Sequence, residues 1–257
     1  MEKAITKKAK RMPERTSGCG PDNPSSKCPR KKGHESLGRG MLLLCCVYSM
    51  GSGLMAWDKY WSVYGKNKFL MDLFWSVSFR SYKKLLRQSN IGRIKNPRIL
   101  EIGAGSGLLT KRILDIYGGS AVLVDNSLEA RQVFLDTNNH PSIDYRIGSA
   151  LSLKYRNKFD LVFSDGLIEH FKGKDQVNLI KVHVDAVKKG GHLILFFPHP
   201  TVRYKTFRAF LGDKFEEFVG YEKPLKRETV FDMVVSLGMK PVASSENIWE
   251  MGILCRK

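Results

Sequence analysis

The sequence predicts an α/β fold, a parallel sheet with helices on both faces. Three observations carry that expectation. From about residue 57, short apolar runs alternate with amphipathic segments, and strand–helix alternation of this kind closes into a parallel sheet covered on both sides. One run, residues 193–197, is apolar throughout, as a strand buried on both faces requires. The first run ends in a cluster of glycines, at the place where such sheets hold their ligands, beyond the carboxyl ends of the strands.

The elements follow in order. Residues 67–88 carry Phe69, Leu70, Leu73, Phe74, Val77, Leu85 and Leu86 at roughly helical spacing, and Ser89-Asn90-Ile91-Gly92 stops that helix. Residues 98–102 read as a first strand, 107–117 as a helix, 121–125 as a second strand, 128–138 as a helix and 143–147 as a third strand. Residues 159–164 form a fourth strand. The helix after it, 174–187, sets Val177, Ile180, Val184 and Val187 on one face. The fifth strand is 193–197. An irregular, aromatic-rich segment then leads to a helix over 228–237. Two closing strands are expected near 239–243 and 248–255, joined by a hairpin-like turn around Ser244-Ser245-Glu246-Asn247.

Composition narrows the class. With 257 residues the chain can bury a sizeable core without disulfides, and 42% apolar with 26% charged residues excludes a mostly disordered protein. The apolar run from Met41 to Tyr48 is too short to span a bilayer, which takes about 20 residues. Five cysteines, odd in number and without a CxxC pair, fit a reducing compartment such as the cytoplasm better than a disulfide framework or a zinc site. The net charge is +18. Residues 1–54, rich in Lys, Arg, Pro, Gly and Ser without any period, contribute +7 of it and read as a basic, disordered extension. The folded domain is expected over 55–257, and its own +11 admits nucleic acid, anionic lipid or an acidic small molecule as partner.

The densest chemical signal is Ile99-Leu100-Glu101-Ile102-Gly103-Ala104-Gly105-Ser106-Gly107-Leu108. Gly103 and Gly105 allow a tight turn and let a ligand lie against bare backbone. A dinucleotide fingerprint would need glycine at 108, where Leu108 stands. Glu101 moreover places negative charge where a pyrophosphate would be repelled and a cation welcomed. Asp125, at the end of the second strand, stands where a carboxylate accepts hydrogen bonds from ribose hydroxyls. An anionic glycine loop, a ribose carboxylate and no phosphate-binding lysine point to a positively charged nucleoside, and S-adenosylmethionine, a sulfonium nucleoside, is that ligand.

On these residues the sequence resembles the class I S-adenosylmethionine-dependent methyltransferases. Glu101-x-Gly103-x-Gly105-x-Gly107 is similar to their first motif and Asp125 to their acidic ribose ligand. Gly148-Ser149-Ala150 stands where the family often has Gly-Asp-Ala against the adenine, with Ser149 a departure. The run from Phe159 through Asp165 to Leu167-Ile168-Glu169-His170-Phe171 resembles the fourth strand and its exit loop. Lys188-Lys189-Gly190-Gly191-His192-Leu193 resembles the turn into the fifth. The resemblance covers about residues 57–257. It implies a Rossmann-like, three-layer sheet of seven mostly parallel strands with the last antiparallel. It also implies a methyltransferase whose cofactor contacts fall on Glu101, Gly103, Ala104, Gly105, Gly107, Asp125, Asn126, Ser149, Ala150 and Asp165.

The acceptor is read mainly by elimination. No Asn/Asp-Pro-Pro-Tyr follows the fourth strand and no cysteine lies near the site loops, which argues against base-amine methylation and against a cysteine nucleophile at pyrimidine carbon. Glu169 and His170, following the fourth strand, are the catalytic candidates. They serve as a general base, as metal ligands or only in helix-start packing, and since Gly166 stands three residues before Glu169, a complete metal set is not evident. His199 could approach the same pocket. Trp57, Tyr60 and Trp61 belong to a segment that in the family folds over the cofactor. The insert 198–226 lies where the family builds its acceptor cap, and Tyr204, Phe207, Phe210, Phe215, Phe218 and Tyr221 suit it to an apolar or ring-bearing acceptor. The expected acceptor is a small molecule or lipid-like metabolite. RNA or protein is the alternative, through Arg80, Lys83, Lys84, Arg87, Arg93, Lys95 and Arg98, seven cations with no acid between them. A binding module that keeps the cofactor but transfers nothing is the third reading.

Overall fold

The computed structural model describes residues 60–61, 68–212, 221–247 and 249–257. The extension expected at 1–54, Trp57, and Phe215 and Phe218 of the cap lie outside the described residues.

Seven strands among the described residues form one sheet: β1 (Arg98–Ile102), β2 (Ser120–Asp125), β3 (Ile143–Ile147), β4 (Phe159–Asp165), β5 (Val187–Pro198), β6 (Lys240–Glu246) and β7 (Glu250–Arg256). Their order is β3-β2-β1-β4-β5-β7-β6. The pairings among the first five are parallel, while β7 runs antiparallel to both β5 and β6. The helices are α1 (Lys68–Gln88), α2 (Leu108–Tyr117), α3 (Leu128–Thr137), α4 (Gly173–Ala186), α5 (Val202–Leu211) and α6 (Arg227–Ser236). Among the described residues, no helix is long and apolar enough to cross a membrane.

Alternation along each strand splits the core in two, because successive side chains leave a pleated strand on opposite faces. Leu100, Ile102 and Val162 pack with Ile180 and Val184 of α4 and Val230 and Val234 of α6. Ile99, Leu161 and Phe163 pack with Leu85 and Leu86 of α1, Ile113 of α2 and Phe134 of α3. Each fully buried aliphatic or aromatic side chain contributes about 1.5–3 kcal/mol. The helix leaving β1 covers one face and the helix leaving β4 the other, so the chain parts to both sides between these neighbouring strands. Their carboxyl ends therefore border a crevice.

Three local expectations differ from the structure. β5 begins at Val187 rather than 193, because the Lys188–Gly191 turn is absorbed as an irregularity within the strand. Phe159 pairs with Val187 and Leu161 with His192, and Gly190 takes φ +77° to make the excursion. The insert is not irregular throughout but carries α5, whose Thr201 hydroxyl accepts the Tyr204 N–H at 3.1 Å as an N-cap. β6 continues to Glu246, so the closing turn shortens to Asn247–Trp249, where Asn247 Oδ1 accepts the N–H groups of Trp249 and Glu250, both at 2.8 Å.

Candidate active site

The loop after β1 is held from three sides. Gly103 and Gly105 sit at φ +71° and +51°, a region that L side chains avoid. A Cβ on Gly105 would fall 2.1 Å from the Trp61 ring, and one on Gly103 would fall 2.9 Å from Leu167. Asp125 Oδ2 accepts the Gly105 N–H at 2.8 Å while Oδ1 accepts that of Ser127 at 2.9 Å. From β3, the Tyr145 hydroxyl donates to the Gly105 carbonyl at 2.8 Å. The carboxylate at the end of β2 thus first braces the glycine loop.

Beside the loop lies a cavity of about 210 Å³ along the carboxyl edge of the sheet. At β1 it is walled by Gly103, Ala104, Gly105 and Ser106 with Glu101 beneath; toward β4, β5 and β7 it is walled by Asp165, Glu169, His170, Glu222 and Glu250. Tyr60, Trp61, Leu108 and Leu109 also line it. Of the residues expected from the sequence, Glu101, Gly103, Ala104, Gly105, Asp165, Glu169 and His170 come together here. Gly107 opens α2 and is packed against Leu123 and Phe134, so its missing side chain serves helix packing. Asp125, Asn126, Ser149 and Ala150 do not line the cavity; they follow the ends of β2 and β3, where the Gly148 N–H donates to the Asp125 carbonyl at 2.8 Å. His199 is directed elsewhere: its Nδ1 bonds the Leu225 carbonyl at 3.0 Å and its N–H the Trp249 carbonyl at 3.3 Å, tying down the exit from the cap.

Glu222 and Glu250 escaped the sequence reading. Glu222 is one charge among several in a mixed insert, and Glu250 reaches the edge only because β7 pairs antiparallel with β5, setting it opposite Pro198.

Burial of Glu101, Asp165, Glu169 and Glu222 favours their neutral forms. Burial raises Glu101 to about 8, against the pull of the Thr110 hydroxyl that donates to it at 2.6 Å. Burial, then the neighbouring Glu250, raises Asp165 well above the carboxylate range, and Tyr82 beside it is raised in turn. Glu169 is fully buried; neither of its oxygens accepts a hydrogen bond, and burial holds its pKa well up. Burial raises Glu222 as well, opposed by the Tyr204 hydroxyl, which donates to it at 2.5 Å, and by Arg208. His170 is lowered by burial; its Nδ1 bonds the Tyr221 carbonyl at 2.6 Å and its Nε2 lies 3.7 Å from Glu169 Oε1. Glu169, His170 and Glu222 offer ligand atoms within 4.8 Å of one another. The cap thus supplies the third group that Gly166 leaves out.

The residues present fit the sulfonium nucleoside. The wall at β1 is bare glycine backbone; among the described residues the ionisable groups lining the cavity are carboxyls, tyrosine and histidine, with no lysine or arginine. Those residues offer a phosphate no cationic partner, whereas a cation meets several carboxyls.

Comparison with known proteins agrees. A family model described as a methyltransferase domain matches residues 99–191. The ubiquinone biosynthesis O-methyltransferase of Pelagibacter ubique is 31% identical over 124 residues, 48% of this chain and 50% of that protein, so this chain spans about half the length of that relative. In fold, the chain is similar to one in the complex between the Haloferax volcanii Trm112 methyltransferase activator and a methyltransferase, with TM-score 0.61 at 14% identity over 80% of this chain and 99% of that one. It is also similar to human N-acetylserotonin methyltransferase in complex with S-adenosylmethionine, with TM-score 0.58 at 15% identity over 78% of this chain and 55% of that one. A strand order with one antiparallel member, a braced acidic glycine loop and a matching domain model lead to one conclusion: residues 99–191 match a methyltransferase domain, set in the fold that the solved methyltransferases share.

Proposed function

We propose that this protein moves the methyl group of S-adenosylmethionine to a small-molecule or lipid-like acceptor by in-line displacement, in the reducing cytoplasm that its cysteine usage fits. One observation carries this reading: a single small cavity runs from the glycine loop to the cap, about 210 Å³ in volume, a space matched to a compact acceptor group.

The cofactor's side is Glu101 and the backbone of Gly103, Ala104 and Gly105. Asp125 and Asn126 meet the ribose, and Ser149 and Ala150 flank the adenine. Asp125 can brace the loop and still bind a hydroxyl, because an ionised carboxylate offers about four acceptor sites. When bound, the cofactor supplies a methyl group already activated by its sulfonium. The protein's task is therefore approach geometry and exclusion of water, a proximity effect that reaches about 7–11 kcal/mol. Asp165 and Glu169 face the acceptor's side, and Glu169 or His170 takes a proton if the acceptor must lose one, an effect of about a hundred- to ten-thousand-fold.

The RNA reading keeps one observation in its favour: Arg80, Lys83, Lys84, Arg87, Arg93, Lys95 and Arg98 are all exposed. Arg98, however, opens β1, so the stripe runs toward the amino edge of the sheet. The cavity lies at the carboxyl edge, about 16 Å further along a five-residue strand. Labelled methyl transfer by the full-length chain into separate metabolite, RNA and protein pools tests the choice. Label in the metabolite pool is expected. Salt-sensitive label in RNA would reverse it, and cofactor binding without transfer into any pool would support the non-catalytic module.

A further inference from the structure

Resting on the function proposed above, we propose that the acceptor is an amine, bound as its ammonium ion between the carboxyls of Asp165, Glu169 and Glu250 and the rings of Tyr60 and Trp61. The argument begins with an imbalance. A chain of net charge +18 encloses a cavity that, among the described residues, is lined by five carboxyls, Glu101, Asp165, Glu169, Glu222 and Glu250, and by no lysine or arginine. Three of these carboxyls already accept a hydrogen bond inside the protein: Glu101 from Thr110, Glu222 from Tyr204 and Glu250 from Asn247. Glu169 accepts none, with His170 Nε2 3.7 Å from its Oε1. It is fully buried, it lines the cavity, and neither of its oxygens accepts a hydrogen bond. Leaving a buried carboxyl without a partner is unfavourable, and it persists where an incoming group completes it.

The shape of the site favours an organic cation over a bare one. Tyr60 and Trp61 stand edge to face, with ring centroids 4.9 Å apart, and line the same cavity. An aromatic wall beside carboxylates attracts alkylammonium groups through the ring quadrupole and excludes water from them. A cofactor held against the glycine loop would present its methyl along the same sheet edge, since β1 and β4 are neighbours.

The chemistry balances. The bound ammonium passes one proton to the Glu169 carboxylate. The freed nitrogen lone pair forms the new bond to the methyl carbon, and the pair of the broken carbon–sulfur bond stays on sulfur. The secondary ammonium product and the thioether leave, and Glu169 returns its proton to solvent.

The test is calorimetric titration of the full-length chain, saturated with S-adenosylhomocysteine, with butylamine, benzylamine and tyramine against butanol, benzyl alcohol and tyrosol. At least one amine is expected to bind about tenfold or more tightly than its alcohol and to lose about tenfold in Glu169→Gln. The variant's unchanged affinity for S-adenosylhomocysteine would show that it is folded. Equal binding of amines and alcohols, or amine binding indifferent to Glu169→Gln, overturns the inference while leaving the methyltransferase reading intact. Failure of the wild-type chain to bind S-adenosylhomocysteine overturns that reading instead. Methyl transfer into a non-amine acceptor that is lost on chelation and restored by Mg²⁺ would also overturn it, and would give Glu169, His170 and Glu222 to a metal.

Discussion

The two sides of the cavity are made in different ways. The glycine side comes from ten consecutive residues, 99–108, whose backbone conformation is written locally: a buried strand, two left-handed glycines, then a helix. The acid side is assembled from Asp165 after β4, Glu169 and His170 in the following turn, Glu222 in the cap and Glu250 at the start of β7. The first side costs backbone strain that glycine relieves. The second costs desolvation of carboxyls, which raises the pKa of Glu101, Asp165, Glu169 and Glu222. A motif is thus enough to find where a cofactor binds, while the acceptor's surroundings depend on which distant strands become neighbours.

The largest effect should come from breaking the glycine side. Gly105→Val puts a branched side chain into left-handed backbone against Trp61, and about 2–5 kcal/mol of cofactor affinity should disappear in calorimetry.

The acid side should instead show itself in stability against pH. Glu101, Asp165 and Glu169 all titrate higher in the fold than the ordinary carboxylate value near 4. The folded state therefore holds protons that the unfolded chain has released. Stability contributed by these groups is complete below about pH 4 and is lost as pH rises, for Glu101 up to about 8, with a slope of about 1.4 kcal/mol per pH unit for each group. Urea denaturation at pH 5 and pH 8 should show the wild type weaker at pH 8 and Glu169→Gln less so. A pH-independent midpoint would mean that the carboxyls are charged in the fold.

A smaller change, Asp125→Ala, removes the brace on Gly105 and the ribose acceptor together and should cost about 1–3 kcal/mol in S-adenosylmethionine binding; unchanged affinity would take Asp125 out of the site. Ser127→Ala removes only the N-cap of α3, whose hydroxyl accepts the Ala130 N–H at 3.1 Å. It should lower unfolding stability by about 1 kcal/mol with cofactor affinity intact. Arg87→Ala, on the exposed stripe, should change stability by less than about 0.5 kcal/mol and leave methyl transfer unaffected. Slower transfer in that variant would revive the RNA reading.

The alternation of strands and helices was legible in the sequence because burial imposes a period, and all seven strands were expected where they stand, β5 alone beginning six residues earlier. What was not legible has physical reasons. Lys188-Lys189-Gly190-Gly191 looks like a turn because its composition is that of a turn, yet strand pairing with β4 and β7 carries β5 through it. The helix α5 hid in the insert because aromatic and basic residues at 202–211 show no clean apolar stripe; it was Thr201, a capping residue, that marked its start. His199 looked like a site residue from its position after β5 alone, and the carbonyls of Leu225 and Trp249 claim it.

By itself the sequence determined the fold class, the glycine loop and the sign of the charge the cofactor must carry, since each of these depends on residues close together in the chain. Only the tertiary structure decided that Asp125 braces the glycine loop and that Glu222 and Glu250 join the buried Glu169 at one cavity. Desolvation and mutual repulsion exist only between groups that the fold has brought together, so no spacing along the chain encodes them.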